Sequence, residues 1–93
     1  MRAPSSRVPV ASFDRLNYLS VRASLRDGHI WPECFEEWLE RARVRSKELC
    51  DLGDHPVRVE IDAQKFKLWC LINNRQADTE SFGEYVRTRP VDR

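Results

Sequence analysis

Apolar and polar residues alternate between residues 57 and 61 and then change to a helical period. Every second residue of 57–61 is apolar, which is the pattern of a short strand with one buried face. Apolar residues recur at spacings of three and four over 63–73 and, after a polar gap, over 79–88. This stretch therefore predicts a strand, a helix, a turn and a second helix.

Polar residues stand where these two helices should begin and end. Asp62 can cap the first helix by accepting a backbone N–H, and Asp78 or Thr79 can cap the second in the same way. Asn73 and Asn74 end the first helix because asparagine tolerates the left-handed backbone conformation.

The two helices are predicted to pack through aromatic side chains. Phe66 and Trp69 share one side of the first helix, and Phe82 and Tyr85 share one side of the second. We expect these two sides to meet in the core.

The helix over 63–73 is also apolar on its other sides. Leu68, Leu71 and Ile72 widen its apolar surface well beyond a narrow stripe. We expect a helix with this pattern to be buried on two sides.

A longer amphipathic helix is predicted over 32–52. Pro32 is tolerated at the first helical position because its missing N–H would have no partner there. Glutamates crowd the first half and basic residues the second half, an order that complements the helix dipole. Within it, Glu37 and Arg41 form a favourable i,i+4 pair.

Residues 19–25 alternate apolar and polar side chains, and we interpret them as a strand. The inward-facing residues of that strand are Leu19, Val21, Ala23 and Leu25. A competing helix remains open for the same region, and its apolar stripe would consist of Phe13, Leu16, Leu19 and Ala23. Asp27 and Gly28 then supply a turn.

These elements predict a small, single α+β domain over 13–93. Its predicted strands are 19–25 and 57–61, and its predicted helices are 32–52, 63–73 and 79–88. A strand–helix–strand connection favours parallel pairing of the two strands. Residues 1–12, rich in Pro, Ser and Ala, are predicted to be a mobile N-terminal tail or an extended arm that packs on the domain.

Composition narrows the functional classes. The 93 residues suit one domain with a small core, and 33% charged with 41% apolar residues suit a globular chain. The net charge is only +1, so composition alone does not favour nucleic acid as a partner. The longest apolar run, 68–72, is far shorter than the about 20 residues of a membrane span. With no hydrophobic signal core either, we expect a soluble, cytoplasmic protein without a membrane partner.

Cysteine spacing argues against a metal site. Cys34 and Cys50 lie at opposite ends of the predicted helix over 32–52, about 24 Å apart at about 1.5 Å per residue. One zinc ion, with Zn–S bonds of about 2.3 Å, cannot hold both, and a disulfide needs Cα atoms within about 7 Å. Three cysteines, an odd number, favour a reducing compartment. We therefore predict no metal and no cofactor.

Catalytic patterns are absent from the sequence as well. It contains no G-x-S-x-G turn, and three glycines cannot build a phosphate-cradling loop. Glu33, Glu37 and Glu40 share a helix face, which we interpret as a solvated acidic helix start. We expect no enzymatic activity.

The stretch from residue 57 to residue 89 resembles a known family. The residues that carry the pattern are Val57 to Asp62, then Phe66, Trp69 and Asn73, and finally Thr79 to Phe82. This pattern resembles the ribbon-helix-helix family of dimeric DNA-binding regulators, without the family's usual glycine between the helices. The resemblance implies that strands from two subunits pair as a ribbon in the major groove, where Arg58 and Glu60 contact bases. It also implies a phosphate at the second helix start, near Thr79 and Ser81.

Protein–protein contact is the leading functional prediction, with the ribbon-helix-helix-like DNA regulator as the alternative. Trp31 stands ahead of the helix over 32–52, where it either staples the helix entry or serves as an exposed interface anchor. Glu37 and Arg41 offer exposed charges nearby. We predict a small non-enzymatic protein that binds another chain, its own copy or a different protein, through Trp31, Glu37 and Arg41.

Overall fold

The structure, a computed structural model, describes residues 7–89 and places two strands and four α-helices within them. In chain order the elements are β1 (Arg7–Ser12), α1 (Arg15–Ser24), a 3₁₀ helix (Gly28–Ile30), α2 (Phe35–Asp51), β2 (His55–Glu60), α3 (Ala63–Ile72) and α4 (Thr79–Thr88). The predicted α+β class is confirmed. The predicted number of helices is wrong, because the described residues contain four α-helices rather than three.

The two strands form a parallel pair. β1 and β2 are in register from Arg7 opposite His55 to Ser12 opposite Glu60. β2 thus confirms the predicted strand near 57–61 and its parallel pairing. Its partner, however, is β1 and not residues 19–25.

Both outer edges of this sheet carry a proline. The Ile61 N–H donates to the Ser12 carbonyl at 2.9 Å, so the backbone groups of these two residues face the neighbouring strand. Because successive residues of a strand point their backbone groups to opposite edges, the nitrogens of Pro9 and Pro56 face outward. Proline has no N–H to donate, so these edges are poor templates for a further strand.

Residues 19–24 belong to helix α1 and Leu25 caps it, so the strand predicted there is wrong. The competing helix is correct, but its predicted apolar stripe is wrong, because Leu16 is 80% exposed and Ala23 is exposed as well. Tyr18, Val21 and Leu25 are buried at spacings of three and four, whereas Leu19 is 41% exposed. The alternation misled because two buried residues four positions apart, Val21 and Leu25, fit the period of a strand as well as that of a helix.

The predicted mobile tail over 1–12 is corrected at its C-terminal half. Residues 7–12 are β1, and each of them pairs with a residue of β2. The alternative expectation of an extended arm packed on the domain describes this segment. Residues 1–6 and 90–93 lie outside the described residues.

The remaining helices lie close to their predicted positions. α3 and α4 agree with the predictions of 63–73 and 79–88 to within a residue. α2 begins at Phe35 rather than at residue 32, because the chain is still extended at Cys34. The Pro32 carbonyl there accepts the buried Tyr18 hydroxyl at 2.6 Å. Asn74 has a left-handed φ of 54°, as predicted for the end of α3.

All nine aromatic rings of the chain join in one network that forms the centre of the core. Phe13, directly after β1, contacts four rings. These are Tyr18, Trp31, Trp38 and Phe82, with centroids 4.9 to 6.2 Å from that of Phe13. Phe13 therefore links β1 to α1, α2 and α4.

The predicted contact between α3 and α4 is confirmed. Phe66 meets Phe82 at 5.3 Å and Tyr85 at 5.4 Å between ring centroids. Trp69 meets Tyr85 at 5.5 Å. These rings attach the C-terminal helix pair to the network around Phe13.

α3 differs from the prediction that it is buried on two sides. Phe66 and Cys70 on its inner side are buried, but Leu68, Leu71 and Ile72 are 56%, 79% and 73% exposed. Only one side of this apolar helix is therefore covered by the described part of the chain.

Candidate functional site

A groove runs between α2, the 3₁₀ helix and β1. It has a volume of about 440 Å³ and is mainly apolar, with Trp31 and Trp38 in its walls. Arg41 and Arg45 stand on its α2 side, and Thr79 closes the end next to α4. The structure thus brings two of the predicted protein-contact residues, Trp31 and Arg41, to one groove.

Trp31 is half-buried in this groove. Its indole N–H donates to the Thr79 hydroxyl at 2.9 Å. Its ring stacks on Tyr18 at 5.8 Å and meets the edge of Phe82 at 5.3 Å. Trp31 therefore joins α1 to α4, and part of its surface remains open to the groove.

Glu37, the third predicted contact residue, holds Arg41 in place. The Arg41 guanidinium donates to the Glu37 carboxylate at 2.7 Å, one turn apart on α2, and both side chains are more than half exposed. An exposed pair of this kind contributes little to stability.

The predicted base-contacting residues are exposed on β2. The Arg58 guanidinium donates to the Ser12 hydroxyl on the neighbouring strand at 3.2 Å, and Glu60 points to solvent. Since Arg58 and Glu60 are two residues apart, they lie on the same face of the sheet.

The predicted phosphate-contacting residues lie at the start of α4, where carboxylates already accept the backbone N–H groups. Asp27 accepts from the Thr79 N–H at 2.9 Å, and Asp78 accepts from the Ser81 N–H at 2.8 Å. Ser81 itself is buried, with 4% exposure. Two carboxylates here place negative charge where the resemblance implied a phosphate.

Two carboxyl groups of this region have lowered pKa values. The Arg75 guanidinium donates to Glu84 through both terminal nitrogens, at 2.7 Å for Nη1, and holds the Glu84 pKa below its usual range. The backbone N–H of Ser81 lowers the pKa of Asp78. Arg75 precedes α4 in the chain, so the first pair ties the connecting loop to the helix.

These pKa values predict loss of stability in acid. A carboxyl whose pKa is lowered by folding stabilises the fold above its unfolded pKa of about 4, and this contribution disappears as the pH falls through the folded value. Glu84→Gln should therefore have a lower urea midpoint than the parent chain at neutral pH, and the difference should shrink below about pH 4. A difference that stays constant from neutral pH into acid would contradict the linkage.

A second surface, which the sequence did not predict, lies on the outer side of α1 and α3. Its five large aliphatic residues are between 41% and 80% exposed. They are Leu16, Leu19, Leu68, Leu71 and Ile72. We call this surface the α1–α3 face.

Two hydrogen bonds show how α1 and α3 lie beside each other. The Ala63 N–H donates to the Asn17 side chain at 2.9 Å. Further along both helices, the Lys67 ammonium donates to the Ser20 hydroxyl at 3.4 Å. Both contacts advance in the same direction along the chain, so the helices run side by side and parallel.

The helical period places the exposed aliphatic residues on one side of this seam. Leu16 lies about 40° from Ser20 around α1, and Leu71 lies about 40° from Lys67 around α3, in opposite rotational senses. Opposite rotations away from a shared seam bring residues of two parallel helices to the same side. The aliphatic residues of α1 and α3 therefore form neighbouring stripes that face solvent together.

The described residues offer little for metal chemistry. Across 7–89, no three His, Cys, Asp or Glu side chains lie close enough together to hold a metal ion. Cys34 and Cys50 are exposed, whereas Cys70 is buried and its desolvation raises the pKa of the thiol. In the same range, none of the helices combines the length and apolarity that crossing a bilayer demands.

Comparison with known proteins assigns no family. No protein-family model matches the chain, and no curated protein and no solved structure matches it. The functional proposal therefore depends on the residues of this chain.

Proposed function

We propose that this chain is a non-enzymatic binding domain that acts through protein–protein contacts, with the α1–α3 face as its main contact surface. The observation that carries the proposal is the exposure of five large aliphatic side chains on one side of two adjacent helices. Side chains of this size and exposure present an apolar surface on the order of several hundred Å², and exposed patches that large often mark interaction sites. Burial of this surface against a partner would contribute about 25 cal/mol of binding free energy per Å² of apolar area.

The groove beside β1 supports the same class of function. It places Trp31 next to Arg41, and tryptophan and arginine are the residue types that most often dominate binding energy at protein interfaces. The proline at each outer sheet edge argues against recognition by strand addition. Contacts through side chains of helices are therefore the favoured mode.

Leu71→Ser should weaken capture of the partner by the full chain at least about tenfold. Loss of a buried leucine from an interface costs about 1.5–3 kcal/mol, or about 10- to 100-fold in affinity. Leu52→Ser is the matched control, because Leu52 is 75% exposed, close to the 79% of Leu71, but follows α2 and lies outside the α1–α3 face.

The capture experiment compares the parent chain and both variants against extract of the native host. The proposal predicts a partner retained by the parent chain and by Leu52→Ser and depleted at least about tenfold with Leu71→Ser. Equal capture by all three proteins would contradict a role for the α1–α3 face. Circular dichroism checks that both variants fold, as expected for exposed positions.

A dimeric DNA regulator is the second candidate, favoured by the exposure of Arg58 and Glu60 on one face of β2. This function requires a dimer formed through β2 and binding that weakens steeply with salt. Arg58→Ala should then lose sequence preference for DNA. A stable monomer in sedimentation, with no DNA binding at low salt, would remove this candidate.

A further inference from the structure

The charges of α1 and α3 are all positive. α1 carries Arg15 and Arg22, α3 carries Lys65 and Lys67, and neither helix contains Asp or Glu. The chain as a whole is nearly balanced at +1, so this pair of helices is a local basic region.

The two arginines are engaged within the domain, whereas the two lysines are not neutralised. Arg15 forms an ion pair with Glu36, and the Arg22 Nε donates to the Trp31 carbonyl at 3.3 Å. Across residues 7–89, neither Lys65 nor Lys67 takes part in an ion pair. The charge available to a partner at the α1–α3 face is therefore that of the two lysines.

The lysines stand on both sides of the aliphatic stripe of α3. Around the helix, Lys67 lies about 40° from Leu71, and Lys65 lies about 20° from Ile72 on the opposite side. Leu68 lies between these two aliphatic residues. The stripe of α3 is thus bordered by Lys65 on its outer side and by Lys67 at the seam with α1.

We propose that the α1–α3 face binds an amphipathic helix of another protein whose apolar stripe is bordered by Asp or Glu. The inference rests on the proposed function and names the partner's chemistry. The stripe on α3 has ridges at spacings of three and four residues, and another helix can pack its own ridges into the grooves between them. A helix centred on the α3 stripe would have Lys65 on one side and Lys67 on the other, so acidic residues on both of its borders would neutralise them. Charge pairs at such positions govern partner choice.

Charge disfavours a second copy of this chain as the occupant. A two-fold dimer through this face would place the same two helices opposite each other. Its interface would contain the lysines of both copies and no acidic residue from these helices, so like charges would oppose association.

The composition of the face also disfavours a lipid surface. Membrane-surface helices use Trp and Phe beside aliphatic residues, and lipid headgroup recognition uses clusters of about 4–8 Lys or Arg. Here all nine aromatic rings lie in the core network. Of the four basic residues on these helices, Arg15 pairs with Glu36 and Arg22 bonds the Trp31 carbonyl, so only the two lysines remain for a lipid headgroup. A protein helix is the occupant that fits both features.

The test is a selection of helical peptides on the full chain. The library keeps one apolar stripe constant and varies the bordering positions equally among Glu, Gln and Lys. The proposal predicts enrichment of Glu at the borders, and selected peptides should bind about fivefold or more tighter than their Gln counterparts. Lys65→Glu combined with Lys67→Glu should shift the enrichment to Lys, whereas Lys47→Glu, on the exposed side of α2, should leave it unchanged.

Each other outcome overturns the inference in a distinguishable way. Enrichment of Gln or Lys, or a Glu preference that survives the double lysine exchange, would exclude acidic recognition while leaving Leu71-dependent capture, and with it the proposed function, intact. Enrichment that Leu71→Ser does not reduce would place the peptides elsewhere on the chain. If the chain bound phosphatidylserine vesicles and Leu71→Ser abolished that binding, the occupant would be a lipid surface. If the chain formed dimers and Leu71→Ser dissociated them, the occupant would be a second copy of the chain.

Discussion

Phe13→Ala is expected to lower the free energy of unfolding by about 3–5 kcal/mol. Phe13 is 8% exposed and packs against rings from α1, α2 and α4 as well as the segment ahead of α2. Removing its ring leaves a cavity at the point where the sheet joins the helices. Domains of this size have about 5–15 kcal/mol of stability in total, so the loss is a large fraction of it. Urea unfolding followed by tryptophan fluorescence and circular dichroism measures the change.

Leu71→Ala is the matched control for this substitution. Leu71 is 79% exposed, so truncation should change the unfolding free energy by no more than about 0.5 kcal/mol. If the two variants were equally stable, Phe13 could not be the junction between the sheet and the helices.

Gly28→Ala is expected to destabilise the chain by about 3 kcal/mol or more. A Cβ at Gly28 would stand 2.0 Å from the Arg22 carbonyl oxygen, and a backbone atom cannot move aside as a flexible side chain can. The 3₁₀ helix would have to shift away from α1. That shift would disturb Trp31, whose backbone N–H donates to the Gly28 carbonyl at 2.9 Å.

Gly83→Ala is expected to change the stability of the same chain in the opposite direction. Gly83 lies inside α4, and a Cβ there would meet only the end of the Arg87 side chain at 3.5 Å, an ordinary contact. Alanine should stabilise this helix by about 0.5–1 kcal/mol, because glycine loses more backbone entropy on folding. Thermal unfolding of both variants compares the two effects, and a stabilising Gly28→Ala would contradict the close approach of the 3₁₀ helix to α1.

Sequence predicted the elements whose local signals agree. α3 and α4 each begin at an aspartate that accepts backbone N–H groups, and their aromatic residues follow one helical period. The strand at β2 was predicted by simple alternation. In these segments capping and hydrophobic period point to the same structure, so the prediction needed no knowledge of distant contacts.

The errors arose where local signals were ambiguous or where distant partners decide. Val21 and Leu25 fit the period of a strand as well as that of a helix, and their segment forms helix α1 with its cap. β1 lies in a segment whose Pro, Ser and Ala content gave no clear signal, and its strand structure comes from pairing with β2, which lies far away in sequence. Secondary structure imposed by such pairing is not readable from a local window.

The surfaces of the candidate site were also only partly foreseen from the sequence. Of the residues predicted from the sequence as protein contacts, Trp31 and Arg41 lie in one groove. The α1–α3 face was missed, although the breadth of the apolar surface of α3 was recognised. A sequence pattern shows that a side of a helix is apolar, but it does not show whether the same chain covers that side. Within the described residues, the side of α3 that carries Leu71 remains exposed.

The most direct test of the α1–α3 face as a protein-contact surface is photo-crosslinking in the native host. A photoreactive amino acid is placed at position 71 of the full chain and, in a separate protein, at position 52, where the leucine is almost equally exposed. We predict a discrete adduct with another protein from position 71 that is missing from position 52. No adduct from position 71, or the same adducts from both positions, would contradict the assignment.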